Sequence, residues 1–252
     1  SVTTSANDAT ITLSNTSNAF TGAITLTTND GSGTDADVTI DGGTTALDIA
    51  ASTVDGDLTL TSGNASGITD SGTLTIGGNL SATTDANNGV VNLGSLAVDG
   101  TVALATNGNG AATVVNDAGL AFAASTVTGA LSATATTGDI TDSGTQTITG
   151  AATYITAATG SNIILDDASN AYAAQVTFKA DTGGDEAFGN LTFVDTGGIK
   201  LDANADAAGD LFIDGSTDGA VGGNLTVTSV TGNVTQGVAL AVSGTTSVTT
   251  SA

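Results

Sequence analysis

The feature that most limits how this chain can fold is that it repeats itself on a closed period. Ser247-Val-Thr-Thr-Ser-Ala252 is the same hexapeptide as Ser1-Val-Thr-Thr-Ser-Ala6, and overlaying the two gives a period of 246 residues. The stretch Gly138 to Lys179 then aligns without a gap on Gly232 onward, through the join and into the residues after Ser1. Gly138-Asp-Ile-Thr-Asp142 falls on Gly232-Asn-Val-Thr-Gln236, and Ile163-Ile-Leu165 falls on Ile11-Thr-Leu13. Ser169-Asn-Ala-Tyr172 meets Ser17-Asn-Ala-Phe20, and Val176-Thr-Phe178 meets Ile24-Thr-Leu26. A third copy is shorter: Ile68-Thr-Asp-Ser-Gly-Thr73 returns as Ile140-Thr-Asp-Ser-Gly-Thr145. The spacings of 72, 94 and 80 residues close the period, so residues 1–252 read as one continuous segment, about one unit of a tandem array with three degenerate sub-repeats. Self-similarity on this scale is the mark of solenoids and arrays.

Composition narrows the choice between architectures. A compact domain of this length normally fills a deep core with large side chains, whereas here there are six Phe, two Tyr, no Trp and no Met. Thr, Ala, Gly, Val and Asn suit a narrow core one layer thick. Proline lacks an amide hydrogen and is confined to edges and bulges, and there is none. A Gly-rich acidic chain can be disordered, but 39% hydrophobic residues in alternating order argue against that.

Short runs of period two, broken by Gly, Asn, Asp and Ser, read as strands and turns. Examples are Ala9–Leu13, Asp37–Ile40, Asp57–Thr61, Thr101–Leu104, Val176–Phe178 and Asn224–Thr228. No stretch carries a convincing helical period. The expectation is an all-β chain of roughly two dozen strands with no substantial helix. A β-sandwich needs two faces of bulky residues, which are missing, so a parallel β-solenoid is favoured over a row of sandwiches. With coils of roughly 20 residues it would hold about a dozen coils and be about 60 Å long, a stiff stack of backbone ladders.

Two runs, Asp139 to Gly150 and Ile11 to Gly22, resemble the repeats of filamentous-haemagglutinin-like adhesins, giant β-strand-repeat proteins of bacterial surfaces. The resemblance implies a right-handed parallel β-helix, an extracellular location at the bacterial surface or in a secreted filament, and an adhesive or filament-forming role. The partner it implies is a further copy of the chain, end to end along a fibre or as covalent tandem repeats. A unit that binds host or environmental glycans through its loops is the alternative.

The charge of −23 comes from 24 Asp and Glu186 against Lys179 and Lys200. Such a surface repels phosphate backbones and anionic lipid, which argues against nucleic-acid and membrane-surface partners. Without His, Cys or Arg, the groups that most often act as acids, bases and nucleophiles are nearly absent. The paired carboxylates Asp166-Asp167 and Asp185-Glu186 stand without aromatic platforms or basic clamps, so no enzyme is expected. Asp30, Asp35 and Asp37 crowd one Gly-rich stretch, and Asp202, Asp206 and Asp210 crowd another; as oxygen donors they are candidates for Ca²⁺, although ordinary solvated turns are the favoured reading. No other cofactor is expected. Asn18 and Asn170 hold equivalent places beside Phe20 and Tyr172. The asparagines are expected to ladder at coil corners, and the two rings to plug the core with the Tyr172 hydroxyl near water. Tyr154 and Tyr172 are also the candidates for an aromatic ligand platform.

Overall fold

Alternating Thr and aliphatic residues can satisfy backbone and core together only if each strand finds a neighbour on both edges, and a coil stacked between two others supplies both. The computed structural model describes residues 1–29, 31, 36–86, 88–180, 189–201, 210–215, 220–237 and 240–251, without the side chains of residues 200, 210–215 and 220. Among these residues there are thirty strands and no helix, and neighbouring strands run parallel. The chain is a parallel β-solenoid of about 10 coils. By its contacts it divides into two units, Ser1–Ala118 with Thr126–Gly129, and Gly119–Ser125 with Ala130–Ala252.

In the first unit each coil has three sides. Leu58–Ser62, Ile68–Asp70 and Leu74–Ile76 follow one another along the chain. The first pairs with Val38–Asp41 and Leu80–Thr84. The second pairs with Leu47–Ile49 and the start of Val91–Val98, and the third with Ser52–Val54 and the end of that same strand. The register therefore stacks Val38, Leu58, Leu80 and Val102 in one inward column, and Ile40, Leu60, Ala82 and Leu104 in the next. All eight are buried, each large member contributing about 1.5–3 kcal/mol. Outward positions stack too: Thr3, Thr27, Thr53 and Thr75 form a column that ends on Ala97.

In the second unit Leu131–Ala135, Ala152–Thr156 and Val176–Ala180 stack on one side. Ile140–Asp142, Ile163–Leu165, Leu191–Asp195, Leu225–Ser229 and Thr246–Thr250 stack on another, and Gln146–Ile148 pairs with Ala171–Tyr172. The inward column Ala133, Tyr154, Phe178 sets a small residue beside two large ones. Tyr154 and Phe178 stack at 5.8 Å, and Phe122, Tyr172 and Phe193 close around them edge-on or tilted. Most of the chain's few aromatic residues are thus gathered into one core cluster. Strand length and side come out of step after Val176–Ala180, because the five-residue strand Leu191–Asp195 takes the side of the three-residue strands.

Two expectations need correction. Phe20 does not plug the core: the turn between Leu13 and Ile24 carries no strand, so no inward position exists there, and the ring is partly exposed. Its counterpart Tyr172 does lie on a strand and is 6% exposed. Its hydroxyl is not near water, because Tyr154 approaches from the neighbouring strand and the two hydroxyls share a hydrogen bond of 3.0 Å.

Candidate functional site

A recurring chemical feature is a corner that precedes a strand in six places, written Gly-Asp-Leu58, Gly-Asn-Leu80, Gly-Thr-Val102, Gly-Asp-Ile140, Gly-Asn-Leu191 and Gly-Asn-Leu225. In the first unit Asp57 donates its backbone N–H to Asp37 Oδ1 at 2.8 Å, across 20 residues. Asn79 donates its own N–H to Asp57 Oδ1 at 2.6 Å, and Thr101 donates both N–H and hydroxyl to Asn79 Oδ1. In the second unit the same ladder runs from Asp139 through Asn162, Asn190 and Asn224 to Thr245, over steps of 23, 28, 34 and 21 residues. Each rung donates to the oxygen of the coil before it, so each ladder has one direction and ends on a threonine. The preceding glycines stack because their backbones touch: Gly78 N–H donates to Gly56 O, Gly100 N–H donates to Gly78 O, and a Cβ on Gly78 would lie 2.7 Å from the Gly56 carbonyl carbon.

A second device lies inside the coil. Five-residue strands that begin on an inward residue turn their fifth side chain inward as well, and that residue is often polar: Ser62, Thr84, Asn116, Thr156, Asp195 and Ser229 are all buried. Ser62 donates to Thr45 O, Thr84 to Gly89 O, and Ser229 to Gly197 O. Asn116 accepts from Val98 N–H and donates back to Val98 O. These side chains satisfy backbone groups where the ladder turns a corner and a buried carbonyl would otherwise be costly. Thr156 departs from the rule, since its buried hydroxyl has no hydrogen-bond partner among the described residues. Asp195 accepts Tyr172 N–H at 3.0 Å; burial pushes its carboxyl above the ordinary value, against the lowering effect of its backbone donors. Asp142 is raised by burial as well, although Asn170 and Asp166 donate to it. Burial also holds the Tyr154 and Tyr172 phenols far above their usual range.

The residues singled out from sequence fall as follows. Asn170 is fully buried; its Nδ2 donates to Asp142 Oδ2 at 2.6 Å and its Oδ1 accepts Gln146 N–H at 2.7 Å. Asn18 is half-buried and donates through Nδ2 to Leu13 O and to Asp41 O of the next coil, both at 3.0 Å. Of the Ca²⁺ candidates, Asp37 is an exposed residue whose Oδ1 starts the first ladder. Asp210 begins the strand Asp210–Gly215, while Asp30, Asp35, Asp202 and Asp206 lie outside the described residues, as does the pair Asp185-Glu186. No cluster of three or more metal-ligating side chains occurs among the described residues. Asp167 accepts Ser169 N–H and the Thr145 hydroxyl, as a turn residue would. Tyr154 and Tyr172 are buried and offer no face to a ligand. Phe20 instead lines a shallow groove of about 280 Å³ with Ala23, Leu47, Asp48 and Thr69. Asp48 carries a buried Oδ1 with no hydrogen-bond partner among the described residues. Sequence reasoning expected asparagine ladders at coil corners but placed them at Asn18 and Asn170 rather than along the Asp37 and Asp139 ladders, and it missed the inward polar position; the recurring Gly-Asx-aliphatic triplet was the available signal for the ladders.

Backbone ladders, corner ladders and inward polar residues repeated coil by coil define a tandem-repeat β-solenoid. The chain belongs to the family described as Repeats of unknown function (DUF5649), which matches residues 35–94 and 109–179, just over half of its length. No curated protein and no solved structure matches it.

Proposed function

We propose that this chain is a structural, non-enzymatic unit of an extracellular filament or stalk, of the filamentous-haemagglutinin-like kind, extended end to end by stacking of coils. The observation that carries the proposal is the return of strand boundaries on the sequence spacings. Ile68–Asp70, Leu74–Ile76 and Leu80–Thr84 return 72 residues on as Ile140–Asp142, Gln146–Ile148 and Ala152–Thr156. Leu131–Ala135, Ile140–Asp142 and Ala152–Thr156 return 94 residues on as Leu225–Ser229, Val234–Gln236 and Thr246–Thr250. A repeat conserved at the level of strands is what axial extension requires. Charge adds to this, since a surface of −23 keeps neighbouring filaments apart. Immunogold labelling of cells that make the protein tests the proposal: label along threads outside the cell is expected, and label confined to the cytoplasm overturns it.

The Phe20 groove favours a second reading, in which the unit also holds a glycan. A partly exposed ring beside a carboxylate and a threonine suits one sugar, whose apolar face lies on the ring and whose hydroxyls reach the polar groups. A glycan array with the intact chain and with Phe20→Ala decides it: binding lost in the variant supports the groove, and no binding by the intact chain removes the reading.

A further inference from the structure

Three Asn-Gly pairs occur in the chain, at Asn88-Gly89, Asn107-Gly108 and Asn109-Gly110, and the first unit gathers them onto adjacent coils. Asn-Gly is the pair most open to attack by the following backbone nitrogen on the asparagine side chain, because glycine places no Cβ beside its own amide. The fold treats the three pairs differently. Asn88 is held twice over: its Oδ1 accepts Asn109 N–H at 2.8 Å, and Gly89, which is buried, donates its N–H to Ala86 O. Behind Asn109 the nucleophile is withdrawn, since Gly110 is buried, donates its N–H to Asn107 O and accepts Gly129 N–H on its carbonyl. Asn107 and Gly108 are both exposed. Neither the Asn107 side-chain amide nor the Gly108 N–H has a hydrogen-bond partner among the described residues.

We propose that Asn107-Gly108 is a site of spontaneous succinimide formation and deamidation, and that the same fold protects the two neighbouring pairs. The Gly108 nitrogen gives up its proton and bonds to Asn107 Cγ, the Cγ–Nδ2 bond breaks, and ammonia leaves with that proton. Water then opens the cyclic imide at either carbonyl, leaving aspartate or isoaspartate at position 107. No enzyme and no redox partner is required. Either product adds a negative charge to the corner. The isoaspartate also lengthens the backbone where Asn107 O accepts N–H groups from Asn88, at 2.9 Å, and Gly110, at 3.1 Å, so it loosens the tie between two coils. The corner is therefore an intrinsic clock: older molecules carry more charge and a weaker rung at one place.

The test is a peptide-mass time course on the whole folded chain kept in mildly alkaline buffer, run beside the same chain unfolded in urea. Folded protein is expected to lose ammonia at Asn107 about tenfold or more faster than at Asn88 or Asn109, because protected pairs react only through local opening. In urea the three pairs should react at similar rates. Asn107→Ser should abolish the fast product and leave the slow ones unchanged. Equal rates at all three pairs in the folded chain, or a fast product at Asn88 or Asn109, overturn the proposal.

Discussion

Asn162 shows how much one side chain does in this fold. It donates to Asp139 through both N–H and Nδ2 and accepts from Asn190 through Oδ1, so it is partner to the coil on either side. Asn162→Ala leaves the Asn190 amide without its acceptor and should lower stability by about 1–2 kcal/mol in a urea titration. Thr156 is the converse case. Its hydroxyl is buried and has no hydrogen-bond partner among the described residues, so Thr156→Val, which keeps the shape and removes the polar atom, should raise stability by about 1 kcal/mol. Asp195 supplies a pH signature. Burial raises its folded carboxyl above the unfolded value, so the folded state binds the proton more tightly. Its contribution is fully present below about pH 3.9 and is lost as pH rises through the raised value. Melting temperature should therefore increase on acidification from neutral pH, and Asp195→Asn should flatten that increase; an unchanged slope in the variant refutes the assignment. None of these three roles was legible in the sequence, where nothing in the local pattern singles out Asn162, Thr156 or Asp195. Their roles follow from register and from which way the fifth strand position points.

Strands were the more legible scale. Asp37–Ile40, Thr101–Leu104 and Val176–Phe178 were visible because apolar and polar residues alternate between turn residues, and the folded strands Val38–Asp41, Thr101–Ala105 and Val176–Ala180 lie there. Leu131–Ala135 and Ser125–Val127 were not, because their inward positions include Ala133, Ala135 and Ser125, too small to mark a face in a sequence. Phe20 and Tyr172 illustrate the limit from the other side: equivalent in the repeat, they differ in burial because only Tyr172 is on a strand. Corners between strands carry their own constraint. Gly67 has φ of +66° and a Cβ there would meet Val90 O at 1.7 Å, while Val90 O already accepts Ile68 N–H. Gly67→Ala should thus cost about 3 kcal/mol or more and be visible as an early loss of exchange protection in Ile68–Asp70. A neutral Gly67→Ala would show that this corner is looser than its geometry implies.

For the molecule as a whole, sequence identified the fold class, because self-similarity, missing proline and scarce aromatics all exclude a thick core. Coil size was less legible. Steps of 28 and 34 residues in the second unit exceed the roughly 20 expected, so the chain closes about 10 coils where a dozen were expected. What sets the proposed filament apart from any other solenoid is that hydrogen bonding would pass from one 246-residue copy to the next without a break, the strand Thr246–Thr250 taking the place of Val2–Asn7. Electron cryomicroscopy of several copies joined in that phase measures this directly. Continuous stacking predicts an axial rise of about 4.8 Å per coil that runs unbroken through every junction; separate beads joined by gaps at each junction would contradict it.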